Sequence, residues 1–181
     1  MIDEEDLIDV LLRLPENSGL ELPITSNNVK AVIMDMFSAG TNTSSTTIEW
    51  AMVEMIRNPR VMEKAQAEVR QAFEQKKTIV EADIQELSYL KLVIKETLRL
   101  HTPLPLLVPT ECREEREIGG YNIPMKTKVF VNAWAVGTDP DYWHDAECFT
   151  PERFDKNPLD FSGTNLELLK LEFGLIFDHG F

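Results

Sequence analysis

Glu96 and Arg99 stand three apart in an apolar helical run, and a second arginine, Arg153, lies far downstream in Pro151-Glu152-Arg153-Phe154. Residues three apart on a helix share a face, so both charged groups are directed into what should be a packed interior. A buried carboxylate is costly unless it is fully partnered. Two guanidinium forks would partner it through charge-assisted, largely bidentate hydrogen bonds, which makes Glu96, Arg99 and Arg153 a candidate structural lock. A second chemical run is Phe37-Ser38-Ala39-Gly40-Thr41-Asn42-Thr43-Ser44-Ser45-Thr46-Thr47, rich in small and hydroxyl residues that are weak helix formers. Its hydroxyls can bond to carbonyls one turn earlier, and Gly40 would let a ligand approach the backbone. The helix is therefore expected to open here into a polar notch in an apolar wall, suited to oxygen and proton handling.

These groups need elements to position them. After a short amphipathic start near residues 6–12 and a loop between Pro15 and Pro23, Thr25-Ser26-Asn27 supplies N-cap candidates for a helix running to about Arg57. That helix would be about 48 Å long and apolar all round near its middle, as befits the centre of a large domain. A helix over 60–75 carries Val61, Ala65, Val69 and Phe73 on one stripe, a turn or two follows at 81–87, and residues 89–101 form the helix bearing Glu96 and Arg99. Pro103, Pro105 and Pro109 forbid further helix, and short strands are expected at 106–108, 117–118, 121–123 and 129–132. Gly119-Gly120 is a hairpin turn signal, 133–137 a brief helix, and an irregular meander follows. The fold class is mainly α with a small β-sheet.

Composition narrows the function. The net charge of -13, from 31 acidic and 18 basic residues, argues against nucleic-acid binding. Cys112 and Cys148 have no Cys-x-x-Cys spacing, and His101, His144 and His179 have no metal-ligand spacing, so no metal site is expected from them. Trp50, Trp134 and Trp143 are expected to be core or loop-packing residues, and the mixed-charge run at 111–117 a solvated stretch. No apolar run reaches the roughly 18 residues of a membrane span. The abrupt, acidic beginning is expected to be a truncation.

Together, Ala39-Gly40-Thr41-Asn42-Thr43 in a long helix, Glu96-x-x-Arg99 and Pro151-Glu152-Arg153-Phe154 resemble the cytochrome P-450 family in identity, order and spacing. The wording of Lys95-Glu96-Thr97-Leu98-Arg99-Leu100-His101-Thr102-Pro103 and Trp134-Ala135-Val136-Gly137-Thr138-Asp139-Pro140 is similar to the plant microsomal members that oxidise terpenoids, flavonoids and alkaloids. The resemblance implies a partial cytochrome P-450 fold, a C-terminal half, over residues 1–165, followed by a divergent tail at 166–181. It implies a heme-thiolate monooxygenase that uses molecular oxygen and electrons from an NADPH-cytochrome reductase to hydroxylate a small lipophilic metabolite such as a terpenoid. By the same resemblance Thr43 is the hydroxyl that assists oxygen activation and proton delivery, Ala39 and Gly40 make room for it, and Glu96, Arg99 and Arg153 are the family's structural lock. Phe37, Ser38, Leu104, Leu106, Leu107 and Val108 line the substrate pocket. The family's site is the cytosolic face of the endoplasmic reticulum membrane, reached through an N-terminal anchor; this chain alone carries none and would be cytoplasmic.

Several positions depart from that pattern. Asn42 replaces the usual acidic residue and cannot relay a proton by ionising. Thr110 and Thr138 stand where close relatives have arginines, the first of which pairs with a heme propionate. In the tail, alignment on Phe173 puts Ile176, Asp178 and Gly180 where glycine, arginine and the cysteine ligand belong. The alternative expectation for the chain as written is therefore a non-catalytic remnant unable to bind heme. Part of the long helix's apolar surface should then be left uncovered.

Overall fold

The computed structural model describes residues 7–13, 24–74, 76 and 78–155, which pack as two compact units, 1–45 and 46–181. The first unit contains α1 (Leu7–Arg13) and the opening turns of α2 (Ser26–Arg57). A reciprocal cap begins α2: the Thr25 hydroxyl accepts the Asn28 backbone N–H at 3.3 Å, while Asn28 Oδ1 accepts the Thr25 N–H at 2.9 Å. The helix continues without a break through 37–47, so the expected local opening is not observed. Its hydroxyls turn back onto the helix instead, with Thr43 donating to the Ala39 carbonyl at 2.7 Å and Ser45 to that of Asn42 at 3.1 Å. Back-bonding of this kind keeps the backbone ladder intact while it occupies the polar side chains. Val29 is buried, but Val32, Met34, Met36 and Phe37 are exposed.

In the second unit α2 ends where Asn58 bonds the Glu54 carbonyl through both its backbone N–H (3.0 Å) and its side-chain amide (2.8 Å). Pro59 opens α3 (Pro59–Phe73) at a position whose N–H has no intrahelical partner. Val61 and Ala65 on the stripe of α3 are buried, and Val69 and Phe73 half-buried. After the single turn α4 (Glu81–Ile84) comes α5 (Ser88–Leu100), which packs against α3, α6 (Ala133–Thr138) and a 3-10 turn, Pro151–Phe154. Met55, Val61, Ala65, Val93, Leu100 and Phe149 form one apolar core, and Trp143, Ala146 and Phe154 a second.

The sheet consists of two separate antiparallel ladders. β1 (Thr110–Glu111) pairs with β4 (Lys128–Val129), setting Glu111 opposite Lys128. β2 (Arg116–Ile118) pairs with β3 (Tyr121–Ile123) across Gly119 and Gly120, whose φ values of +58° and +83° suit a two-residue hairpin turn.

Three expectations need correction. Residues 106–108 are a turn rather than a strand: Leu107 has φ +50° and its N–H bonds back to the Leu104 carbonyl at 3.0 Å. The last strand stops at Val129, because the chain then leaves its short partner β1. Trp50 and Trp134 are 40% and 51% exposed, so among the three tryptophans only Trp143 is a core residue.

One glycine is required by close packing. A Cβ at Gly137 would lie 2.4 Å from the backbone carbonyl oxygen of Arg99, an immovable neighbour inside a helix. Gly137→Ala should therefore destabilise the second unit by about 2–3 kcal/mol through overpacking, read as a lowered urea midpoint. Gly40→Ala, whose new methyl would meet nothing within 4 Å, is the matched control and should not lower it.

Candidate functional site

The centre of the second unit is an ionic cluster without exposed members at its core. The side chains of Glu96 and Arg99 are both completely buried, and that of Arg153 is 12% exposed. Glu96 Oε1 accepts from Arg99 Nη2 at 2.8 Å, Arg153 Nε at 2.8 Å and the Thr150 backbone N–H at 2.9 Å, while Oε2 accepts from Arg99 Nε at 2.9 Å. These four bonds match the roughly four acceptor sites of a carboxylate.

Arg99 also uses all five of its N–H donors. Two go to Glu96, and the others reach the carbonyls of Gly137 (2.6 Å), Ala146 (2.7 Å) and Cys148 (3.3 Å). Arg153 turns three of its other donors on the carbonyls of His144 (2.8 Å), Asp145 (3.2 Å) and Cys148 (3.1 Å). The Trp143 ring lies 5.3 Å and 5.9 Å from the two guanidinium carbons and adds a cation–π face. Sequence reasoning missed this role of Trp143, since a tryptophan in an irregular loop has no periodicity to mark its partner.

Glu152, next to Arg153 in sequence, makes a second, outer junction. Its carboxylate receives two bonds from Arg60 (2.5 and 3.1 Å), one from Lys64 (2.9 Å) and one from the Tyr89 hydroxyl (3.1 Å). The Arg60 bonds hold the Glu152 carboxyl far below the usual carboxylate range, against the opposing effect of burial, with Lys64 and Tyr89 assisting. Burial and the Glu152 charge push the Tyr89 phenol up to about 12.

The other candidate residues fall into two groups. Phe37, Ser38, Ala39, Gly40 and Asn42 are exposed on α2 in the first unit, and Thr43 is half-buried there. Leu104, Leu106 and Val108 are exposed in the turn after α5 in the second unit, with Leu107 half-buried between them. The Pro105 carbonyl accepts the Trp134 N–H at 3.2 Å, which ties this turn to the start of α6.

Two thiols lie among the described residues. Cys112 is half-buried after β1 and its Sγ donates to the Glu114 carbonyl at 2.8 Å; Cys148 is exposed on the meander. With one thiol bonded to a backbone carbonyl and the other open to solvent, the described cysteines do not fit the enclosed axial position of a heme. Thr138 is occupied with the Trp134 carbonyl at 2.9 Å and, like Thr110, offers no charge to a propionate. Ile176, Asp178 and Gly180 lie outside the described residues, as does the whole 166–181 tail. No helix among the described residues is long and apolar enough to cross a membrane.

Residues 2–167 match the family described as Cytochrome P450. The chain is 66% identical to premnaspirodiene oxygenase of Hyoscyamus muticus over 165 residues, covering 91% of this chain and 33% of the relative. It is 65% identical to 5-epiaristolochene 1,3-dihydroxylase of Nicotiana tabacum, with the same coverage. A solved zebra fish cytochrome P450 with progesterone superposes with a TM-score of 0.76 at 33% identity, over 84% of this chain and 36% of that one. The chain thus spans about a third of the length of the curated relatives it matches.

Two measurements follow from the ionic geometry. Arg153→Met leaves Glu96 one donor short and the His144 and Asp145 carbonyls without their guanidinium, while Arg99 still holds that of Cys148, and should cost about 3 kcal/mol in urea unfolding. Glu152, with its folded-state value depressed, contributes stability above its ordinary value of 4.5 that is lost as pH falls through that range toward the lowered one. Urea midpoints measured from neutral to acid pH should fall less steeply for Glu152→Gln than for the parent chain; parallel slopes would contradict the assignment.

Proposed function

This chain belongs to the cytochrome P450 family, and we propose that its whole protein is a monooxygenase that hydroxylates a small lipophilic plant metabolite of the terpenoid class. The family's cofactor is a heme, which supplies oxygen activation when bound, and its usual electron source is an NADPH-cytochrome reductase at the membrane surface. The observation that carries the reading is the Glu96–Arg99–Arg153 lock, in a chain 66% identical to premnaspirodiene oxygenase and 65% identical to 5-epiaristolochene 1,3-dihydroxylase.

In this reading the lock is scaffolding: it fixes the meander on α5 and touches no substrate. By family resemblance the residues that meet substrate are Phe37 and Ser38 in the first unit and, in the second, Leu104, Leu106, Leu107 and Val108; all but the half-buried Leu107 are exposed within their own unit. Ala39 and Gly40 keep the helix slim beside Thr43. The Thr43 hydroxyl donates to the Ala39 carbonyl, and to donate a proton outward it must rotate off that carbonyl. Asn42 can orient a water but cannot ionise, so a proton must come through solvent or another group.

For these 181 residues by themselves the second reading applies, a scaffold that does not form a heme-thiolate centre, and the placement of Cys112 and Cys148 favours it. The purified chain should be mixed with hemin, reduced and treated with carbon monoxide. The strongly red-shifted Soret band of a thiolate-ligated complex should be missing. Its appearance, and its loss on replacing Cys112 or Cys148 by serine, would overturn the scaffold reading and leave the family assignment intact.

A further inference from the structure

Outside the lock, the second unit contains another buried carboxylate, and it faces a histidine. Glu54, near the end of α2, has a side chain only 7% exposed. Its Oε1 lies 2.9 Å from His101 Nε2 and 3.3 Å from Arg57 Nη1, and its Oε2 accepts from Asn58 Nδ2 at 3.3 Å. The His101 ring also stacks on Trp50, with centroids 4.0 Å apart and planes 4° from parallel. Because Trp50 and Glu54 are four apart, they lie on one face of α2 and hold the imidazole from two directions at once.

We infer that Glu54, Trp50 and His101 form a clasp that positions the turn over 102–108. His101 is the residue at which α5 ends: its N–H still bonds the Thr97 carbonyl at 2.8 Å, and its φ and ψ of -123° and 53° are no longer helical. Everything after it up to β1 is proline-rich turn; among the described residues it is bonded through Thr102 Oγ1 to the Leu98 carbonyl (2.9 Å), within the turn from the Leu107 N–H to the Leu104 carbonyl, and to Trp134. The departure point of this segment is therefore set by the imidazole. A hydrogen bond fixes the ring's reach and a parallel stack fixes its plane, whereas either one alone leaves a rotation free. His101 and Glu54 are 47 residues apart, so the clasp also fastens the end of α2 to the mouth of the turn.

The role as a positioning group for substrate specificity rests on the proposed function, under which Leu104, Leu106, Leu107 and Val108 meet substrate. The clasp itself does not, and its test uses no substrate. Amide hydrogen exchange should be followed by mass spectrometry in the 181-residue chain carrying His101→Ala, His101→Gln, which keeps a hydrogen-bonding tip, or His101→Phe, which keeps the stack. His101→Ala should speed exchange over 102–108 by roughly tenfold or more while residues 93–99 of α5 keep their protection. Glutamine and phenylalanine should each restore part of the difference. Trp50→Leu, made at the half-exposed end of the clasp where folding is least at risk, should reproduce the His101→Phe complement: faster exchange in the turn with Glu54 still bonded. Unchanged exchange over 102–108 in both His101→Ala and Trp50→Leu would overturn the clasp, as would equal acceleration over 93–99, which marks general destabilisation. Either result would leave the oxidase reading untouched.

Discussion

A carboxylate with no exposed surface governs the second unit. Removing Glu96 from water is costly, and the cost is offset only because four N–H groups converge on its two oxygens. The same requirement then passes outward. Arg99, buried to satisfy Glu96, has three further donors to satisfy, and it finds them in the carbonyls of Gly137, Ala146 and Cys148. Irregular backbone carries carbonyls that no helix or ladder will pair. The arginines and the meander thus solve each other's problem: the loop supplies acceptors in place of water, and the guanidinium groups supply the donors that secondary structure would otherwise provide.

This explains why α6 packs so close to α5. The Arg99 backbone carbonyl leaves no room for a side chain at residue 137, and the Arg99 side chain takes the carbonyl of the same residue. Glycine meets both demands. Trp143 covers the guanidinium faces that hydrogen bonds cannot reach, since those bonds lie in the plane of the group. Glu152, on the other side of Arg153, extends the arrangement to α3, where solvent weakens each bond and the pairing is cheaper to make and to lose. A buried inner junction and a wetter outer one therefore share the four-residue turn Pro151–Phe154.

Much of the fold was legible in residues 26–138. The Thr25 cap, the Asn58-Pro59 break, the α3 stripe and the Gly119-Gly120 hairpin are local signals, and α2, α3, α5, α6 and the β2–β3 hairpin lie within a residue or two of where their patterns placed them. The failures have a common cause. Residues 106–108 have strand composition, yet Leu107 adopts a positive φ and the turn bonds to Trp134. The hydroxyl-rich run at 37–47 has weak propensity, yet its side chains cap their own helix and the ladder holds. In both places backbone hydrogen bonding in the folded chain overrode an intrinsic preference of a few tenths of a kilocalorie per residue.

By itself the sequence determined where helices start and stop, which glycines turn a hairpin, and that Glu96, Arg99 and Arg153 occur in the order that marks the family. Those features depend on periodicity and on neighbours a few residues away. Only the tertiary structure decided which backbone carbonyls the guanidinium groups hold, that Trp143 joins them, and that His101 sits between Glu54 and Trp50. The carbonyls that Arg99 holds lie 38 to 49 residues from it, and Glu54 lies 47 residues from His101. A carbonyl oxygen is the same in every residue, so no residue type could announce it as the acceptor; its position in space alone makes it one.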